Sequence, residues 1–226
     1  MEIYSFILII LIASILQTST GFGFSILATP FLLLLFEPRE AIQINLILSL
    51  MISAALFSKI KKDTDFGVLK RFAIGSAAGL PVGIAIFLFL DISRLKLTVS
   101  FSIMILTLLL MANVRVKETS RRDYSVGGLS GIMTTSIGMP GPPLLLYFSG
   151  TDTEKERLRG TTLAFYLFIY SASLVFQIIF AGTNKTIWLS SLYALPLVLL
   201  GLYLGQILFV KINQRFFKVF TYIILI

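Results

Sequence analysis

The chain has 226 residues, of which 57% are hydrophobic and only 13% charged, against roughly 25% charged residues in an ordinary soluble domain. Its net charge of +8 lies mostly in short loops between long apolar runs, which indicates orientation in a membrane rather than nucleic-acid binding. The absence of cysteine and histidine excludes disulfides, thiolate catalysis and imidazole metal sites, so no cofactor or metal is expected.

Eight apolar segments follow one another along the chain: 3–36, 41–58, 67–90, 95–113, 124–149, 160–180, 187–210 and 216–226. Most are close to the roughly 20 residues with which a helix crosses a bilayer, and none shows the alternation of a barrel strand. The first is too long for one spanning helix. The fifth contains three prolines within four residues, which a helix interior does not tolerate. The last is incomplete as a span. An all-α polytopic membrane protein is predicted.

Two polar breaks interrupt the first and fifth segments at corresponding places. The first is 17–25, QTSTGFGFS, and the second is 134–143, TTSIGMPGPP. Non-helical backbone at membrane depth is tolerated only where it is buried in protein or lines a cavity, and matched breaks in two halves mark the substrate site of many transporters. New helices are expected to start near 23–25 and near 141–143. Their N-termini would offer free N–H groups and partial positive charge to an anion.

These breaks and one embedded amide predict a substrate site. The predicted substrate-binding residues are Ser19, Thr20, Gly21, Phe22, Gly23, Ser25, Asn45, Thr135, Ser136, Gly138, Met139 and Gly141. For any single hydroxyl the alternative is a hydrogen bond to nearby backbone. For Asn45 the alternative is a hydrogen bond between helices.

The two halves of the chain resemble each other. Five residues of the first half recur 117 positions later, namely Thr18, Ser19, Gly21, Phe31 and Glu37 as Thr135, Ser136, Gly138, Phe148 and Glu154. Four more recur 122 positions later, namely Gly79, Gly83, Phe87 and Lys96 as Gly201, Gly205, Phe209 and Lys218. Two ordered blocks indicate a duplication, with repeats at 1–117 and 118–226. The Gly-x-x-x-Gly pairs at 79–83 and 201–205 are assigned to close helix packing.

The distribution of lysine and arginine chooses between two topologies. If all eight segments cross the membrane, the 19 basic residues divide 10 against 9. If segments one and five are re-entrant hairpins, fifteen basic residues lie on one side and four on the other, these four being Arg39, Arg94, Lys96 and Lys185. The positive-inside rule favours the hairpins and places the N-terminus outside. Each half then has one hairpin and three crossings, so the two repeats are inverted and the hairpin tips can meet near the midplane.

Charged side chains are expected only at segment ends, so no proton relay is evident. Coupling to H+ or Na+ and assembly into a homo-oligomer both stay open. An enzyme is disfavoured, because the sequence offers no nucleophile with a base, no carboxylate pair and no metal site within the segments. An anion channel on the same scaffold is the alternative to a transporter that works by alternating access.

Three short motifs carry a family resemblance: TGFGF at 20–24 with Pro30 downstream, SIGMPGPP at 136–143, and RLRGT at 157–161. With them the whole chain resembles the TauE/SafE family of membrane permeases, the sulfite exporter family. The resemblance implies a multi-pass permease of the bacterial inner membrane that moves a small anion, such as sulfite, sulfoacetate or toluenesulfonate. The second break has Met139-Pro140-Gly141 where members often have consecutive glycines, so the resemblance does not imply one particular anion.

Overall fold

The computed structural model describes residues 2–89, 119–149 and 153–213, together with isolated helical positions between 94 and 108. Within these residues all regular structure is α-helical and no strand is present. The all-α prediction is therefore confirmed for the described part of the chain. The predicted segment at 95–113 lies largely outside the described residues, and the segment at 216–226 lies wholly outside them.

Eight helices follow one another in the described ranges: α1 (Glu2–Thr20), α2 (Phe24–Leu35), α3 (Pro38–Ile60), α4 (Phe66–Phe89), α5 (Ser120–Ile137), α6 (Gly141–Ser149), α7 (Lys155–Ala181) and α8 (Lys185–Lys211). Among them α3, α4, α7 and α8 are long and apolar enough to cross a bilayer. The first predicted segment is divided into α1 and α2, and the fifth into α5 and α6. Both divisions fall within the polar breaks.

At each break a glycine follows the end of the first helix. Gly21 and Gly138 have φ angles of 84° and 73°, a left-handed conformation that costs other L-residues roughly 1–2 kcal/mol. At the second break the Gly138 N–H donates to the Thr134 carbonyl at 2.8 Å and closes the last turn of α5. Two prolines then stand in the first turn of α6, where a missing N–H costs no hydrogen bond. The new helices begin at Phe24 and Gly141, within the predicted intervals.

The chain turns back at each break, so that α1 with α2 and α5 with α6 form two helical hairpins. Phe6, near the start of α1, packs against Phe36, just after α2, with ring centroids 5.7 Å apart. In the second hairpin the Ser130 hydroxyl donates to the Pro140 carbonyl at 3.1 Å. Each second helix therefore returns along the helix that precedes it.

The same glycine-mediated packing occurs at both hairpins. A Cβ atom on Gly83 of α4 would lie 2.8 Å from the Cβ of Thr135 in α5. A Cβ atom on Gly205 of α8 would lie 2.6 Å from the Cβ of Thr18 in α1. Only glycine allows so close an approach, which confirms the packing role predicted for both Gly-x-x-x-Gly pairs. In each case the helix that carries the glycines runs parallel to the first helix of the hairpin.

Helices α3 and α7 pack antiparallel at the centre. Near the start of α3, the Gln43 side-chain amide donates to the carbonyl of Gly182, just beyond the end of α7, at 2.9 Å. At the other end the N–H of Asp65 donates to Thr161, near the start of α7, also at 2.9 Å. These two helices bring their buried faces to both breaks.

Candidate functional site

Both breaks are enclosed by protein. All residues from 16 to 26 and from 134 to 145 are buried. Backbone N–H and C=O groups in such a place need partners within the protein, and the neighbouring helices provide several of them. The breaks are therefore built into the core and are not surface turns.

Several predicted hydroxyl groups bond to their own helix. Ser19 and Thr20 both donate to the carbonyl of Leu16, at 3.2 and 2.8 Å. Ser136 donates to the carbonyl of Ile132 at 2.7 Å. For these three residues the structure has the local hydrogen bond that was the alternative to ligand contact. Their hydroxyls shape the last turns of α1 and α5.

Helix α7 presents one polar face to both breaks. Steps of three or four residues place its members on the same side of the helix, and each member is at most 4% exposed. We call this set the α7 polar face; it consists of Arg159, Thr162, Tyr166, Tyr170, Ser173 and Gln177.

Members of the α7 polar face from Arg159 to Tyr170 contact the first break. The Arg159 Nε donates to the carbonyl of Thr18 at 2.7 Å. A Cβ atom on Gly21 would lie 3.1 Å from the Arg159 Cα, so the backbones of break and helix nearly touch. Further along the helix the Tyr170 hydroxyl donates to Ser25 Oγ at 3.4 Å. The predicted residue Ser25 thus bonds across to α7, near the start of α2.

The last two members of the α7 polar face, Ser173 and Gln177, contact the second break. The Gln177 amide donates to the Thr135 carbonyl at 2.8 Å, and the hydroxyls of Ser173 and Thr135 also lie 2.8 Å apart. From α3, the Asn45 amide donates to the Gly138 carbonyl at 2.7 Å. Asn45 and Thr135, both predicted site residues, are thus joined to the second break by hydrogen bonds between elements.

Tyr166 connects the two breaks. Its ring packs edge-on against Phe22 of the first break, with centroids 6.3 Å apart. A Cβ atom on Gly141, where α6 begins, would lie 2.9 Å from the Tyr166 hydroxyl and 3.2 Å from Ile26 in α2. The starts of the two second helices are therefore close together. The remaining predicted residues fill this region: Phe22 and Met139 are fully buried, and Gly23 precedes α2 with a φ of 101°.

Six buried polar atoms at the breaks and on the helices beside them have no hydrogen-bond partner among the described residues: Gln17 Oε1, Thr18 Oγ1, Asn45 Oδ1, Thr162 Oγ1, Tyr166 OH and Gln177 Oε1. Other such atoms lie elsewhere in the described residues, among them Thr29 Oγ1 and Ser191 Oγ. Each such atom costs about 1–3 kcal/mol if it stays unsatisfied, so the six at the breaks call for an explanation. The three hydroxyl groups in this set are able to donate to an anion.

Arg159 was not predicted as a site residue, because the sequence places it with the solvated basic residues before a span. The structure corrects that reading, since its residue exposure is only 4%. Its Nη2 donates to Gln206 Oε1 of α8 at 2.7 Å, and the guanidinium lies 4.0 Å from the centre of the Phe209 ring. The spacing from Arg159 to Tyr166 and Tyr170, seven and eleven residues, is the sequence signal for a shared helix face.

Two ion pairs lie near the same end of the helices as Arg159. Asp123, only 1% exposed, pairs with Arg71 at 2.5 Å. Asp65, in the turn after α3, pairs with Arg157. Partial burial acts to raise the pKa of Asp65, but the hydrogen bonds from Arg157 and from the Val68 N–H outweigh it and hold that pKa below its usual value. These arginines have carboxylate partners, unlike Arg159.

A cavity of about 360 Å³ lies between α3 and α8 and is open to the surface, with Lys59 and Tyr203 exposed in its wall. It is lined by Ala55, Leu56, Lys59, Leu202, Tyr203, Gln206 and Ile207. Gln206 therefore has contact both with the cavity and with the guanidinium of Arg159. Elsewhere in the described residues, no three acidic side chains come together to hold a metal ion.

A family model described as "Sulfite exporter TauE/SafE" matches residues 6–226. The matched range includes both breaks, the α7 polar face and the cavity. Searches of curated proteins and of solved structures gave no match.

Proposed function

The chain belongs to the TauE/SafE family of membrane transporters, and we propose that it is a secondary transporter of a small sulfur-containing anion, either an oxyanion such as sulfite or an organosulfonate. The observation that carries the proposal is that two buried breaks share the polar face of one helix, with Tyr166 in contact with both. Movement of one hairpin against this face would open the site to one side of the membrane, and movement of the other would open it to the opposite side.

We assign the two hairpins to inverted repeats, 1–117 and 118–226. The equivalent contacts of Gly83 with Thr135 and of Gly205 with Thr18 support this assignment, because both pairs keep the register of the sequence repeat. The antiparallel arrangement of α3 and α7 supports re-entrant hairpins. If all eight predicted segments crossed the membrane, three crossings would separate these two helices and they would run in the same direction.

The chemistry of the breaks suits an anion. Residues 3–36 and 124–149 contain no aspartate or glutamate, and Asp123 in the first turn of α5 is paired with Arg71. Hydroxyl groups, the N-termini of α2 and α6 and the Arg159 guanidinium all favour negative charge. A cation would find no carboxylate here. The same scaffold could form an anion channel, but the full burial of both breaks favours a transporter that occludes its substrate.

A ligand screen tests the proposal. We expect sulfite, thiosulfate or toluenesulfonate to raise the melting temperature of the purified protein in a saturable way, because a ligand that binds the folded state stabilises it by mass action. Carboxylates, sodium chloride and neutral sulfones serve as controls. Stabilisation by cations or neutral solutes alone would contradict the anion site.

Transport in proteoliposomes separates the two mechanisms. A secondary transporter is expected to show a saturable flux and to exchange labelled sulfite against unlabelled sulfite across the membrane. A flux that rises in proportion to concentration, without exchange, would favour the channel. The measurement is made with whichever anion stabilises the protein most.

Cysteine labelling tests the topology. The chain has no cysteine, so Glu37→Cys and Lys62→Cys each supply a single thiol at an exposed position, on either side of α3. We expect an impermeant maleimide to label Glu37→Cys in right-side-out vesicles and to label Lys62→Cys only after permeabilisation. The opposite pattern would reverse the assigned orientation, and labelling of both from one side would remove α3 as a span.

A further inference from the structure

We propose that Arg159 is the counter-charge of the transported anion and that Gln206 competes with the anion for its guanidinium. The inference rests on the proposed transport function and identifies the residue that confers selectivity for oxyanions. Arg159 lies beside the first break and has contact with the cavity through Gln206.

The buried charge of Arg159 has no carboxylate partner among the described residues. Arg159 is only 4% exposed, and the groups that accept its hydrogen bonds, the Thr18 carbonyl and the Gln206 amide oxygen, are both neutral. Among the described residues no carboxylate forms an ion pair with it; Asp63 and Glu156 act on it only through space. A buried charge without an ionic partner is costly, and in membrane proteins such residues mark substrate or ion pathways.

The two breaks differ at the position that Arg159 occupies. In the sequence repeat the counterpart of Arg159 is Ile42, 117 positions earlier. The two residues contact equivalent glycines, since a Cβ atom on Gly21 would meet Arg159 and one on Gly138 would meet Ile42 at 3.3 Å. The same place in the fold is therefore cationic at the first break and apolar at the second.

Backbone donors show the same difference. The first turn of α2 has three residues with an N–H, from Phe24 to Ile26, whereas Pro142 and Pro143 remove two donors from the first turn of α6. Beside Arg159 the buried hydroxyl of Thr18 has no partner among the described residues. Fixed positive charge and free donors thus gather at the first break.

The cavity between α3 and α8 provides the approach. Its volume of about 360 Å³ falls within the range of small-molecule pockets, and Lys59 supplies a positive charge in its wall. An anion in this cavity contacts Gln206, whose amide oxygen accepts a hydrogen bond from Arg159 Nη2. A guanidinium binds two oxygens of one group at once, so sulfite and sulfonates are expected to bind better than halides.

The variant Gln206→Glu separates this role from a purely structural one, in which Arg159 only caps the C-terminal end of α1. The substitution keeps the size and the accepting oxygen but adds a permanent negative charge 2.7 Å from the guanidinium. If Arg159 is the counter-charge, the variant should melt at a higher temperature without anion and bind sulfite or toluenesulfonate at least about tenfold more weakly, a change of only ~1.4 kcal/mol. If Arg159 is only a cap, anion affinity should equal that of the wild type, and the proposal is wrong.

Substitutions of the arginine itself give an independent test. Arg159→Gln should lose the anion-dependent rise in melting temperature. Arg159→Lys should retain only part of it, because an ammonium group lacks the two parallel N–H donors of the guanidinium. Arg157→Gln is the matched control, since that side chain is 60% exposed and pairs with Asp65; it should bind anions like the wild type. Should Arg159→Gln fail to fold, Gln206→Glu alone decides. If the wild type binds none of the anions, the proposed function fails, whereas equal binding by wild type and Gln206→Glu rejects only the role of Arg159.

Discussion

Gly21→Val is expected to lower anion transport at least about tenfold while the protein still reaches the membrane. A β-branched residue is a marked outlier at the positive φ of 84° found here. The new Cβ would also lie 3.1 Å from the Arg159 Cα, so α7 and the first break would have to separate. A penalty of roughly 1–2 kcal/mol is enough for about a tenfold loss. Initial rates of labelled sulfite or toluenesulfonate exchange, normalised to the amount of protein in the membrane, measure the effect.

Gly138→Val should have the same effect at the second break. Its Cβ would lie 2.9 Å from Nδ2 of Asn45, the atom that donates to the Gly138 carbonyl. Gly182→Val is the matched control, because Gly182 also has a positive φ, 75°, but no atom lies within 4 Å of its Cβ position. Wild-type exchange by Gly21→Val would remove the first break from the site. Equal loss in Gly182→Val would show that backbone strain by itself, and not crowding at the breaks, stops transport.

The breaks could be located from sequence because glycine and proline act locally. A glycine allows a left-handed turn and a proline fits the first turn of a helix whatever the rest of the chain does. Residues such as Gly21, Gly138 and Pro142 therefore predict where one helix ends and the next begins. The observed starts at Phe24 and Gly141 follow from these local preferences.

The roles of individual side chains at the breaks depend on packing that one sequence does not specify. Ser19 and Ser25 are both hydroxyl residues of the same break, yet Ser19 bonds within its helix and Ser25 bonds with Tyr170 of α7. Arg159 stands near the start of a helix, where a charged residue is usually solvated. Only the position of α1 and α8 against that helix buries it.

The glycine pattern of the sequence likewise predicts only part of the close helix packing. The repeat register identified Gly79 and Gly83 as packing residues, and the structure places both against α5. It also shows three close contacts that the pattern did not predict, at Gly75, Gly127 and Gly131. Those contacts follow from α4 and α5 running parallel, with glycines on both partners. The spacing of glycines along α4 or α5 does not show whether the two helices run parallel or antiparallel.

Gly79→Ala is expected to destabilise the protein more strongly than a methyl group usually does. Its Cβ would lie 2.3 Å from the Gly128 carbonyl oxygen, and this neighbour is helix backbone that cannot rotate away. Overpacking of this kind costs about 1–3 kcal/mol, sometimes more, and should lower the melting temperature in detergent. Gly128→Ala is the control on the facing helix, since its Cβ would meet its nearest neighbour, the Gly75 carbonyl oxygen, at an ordinary 3.5 Å. We expect that variant to melt close to the wild type or slightly above it, because alanine favours helix over glycine by about 1 kcal/mol. An equal loss in both variants would contradict the close backbone contact that seats the second hairpin against α4.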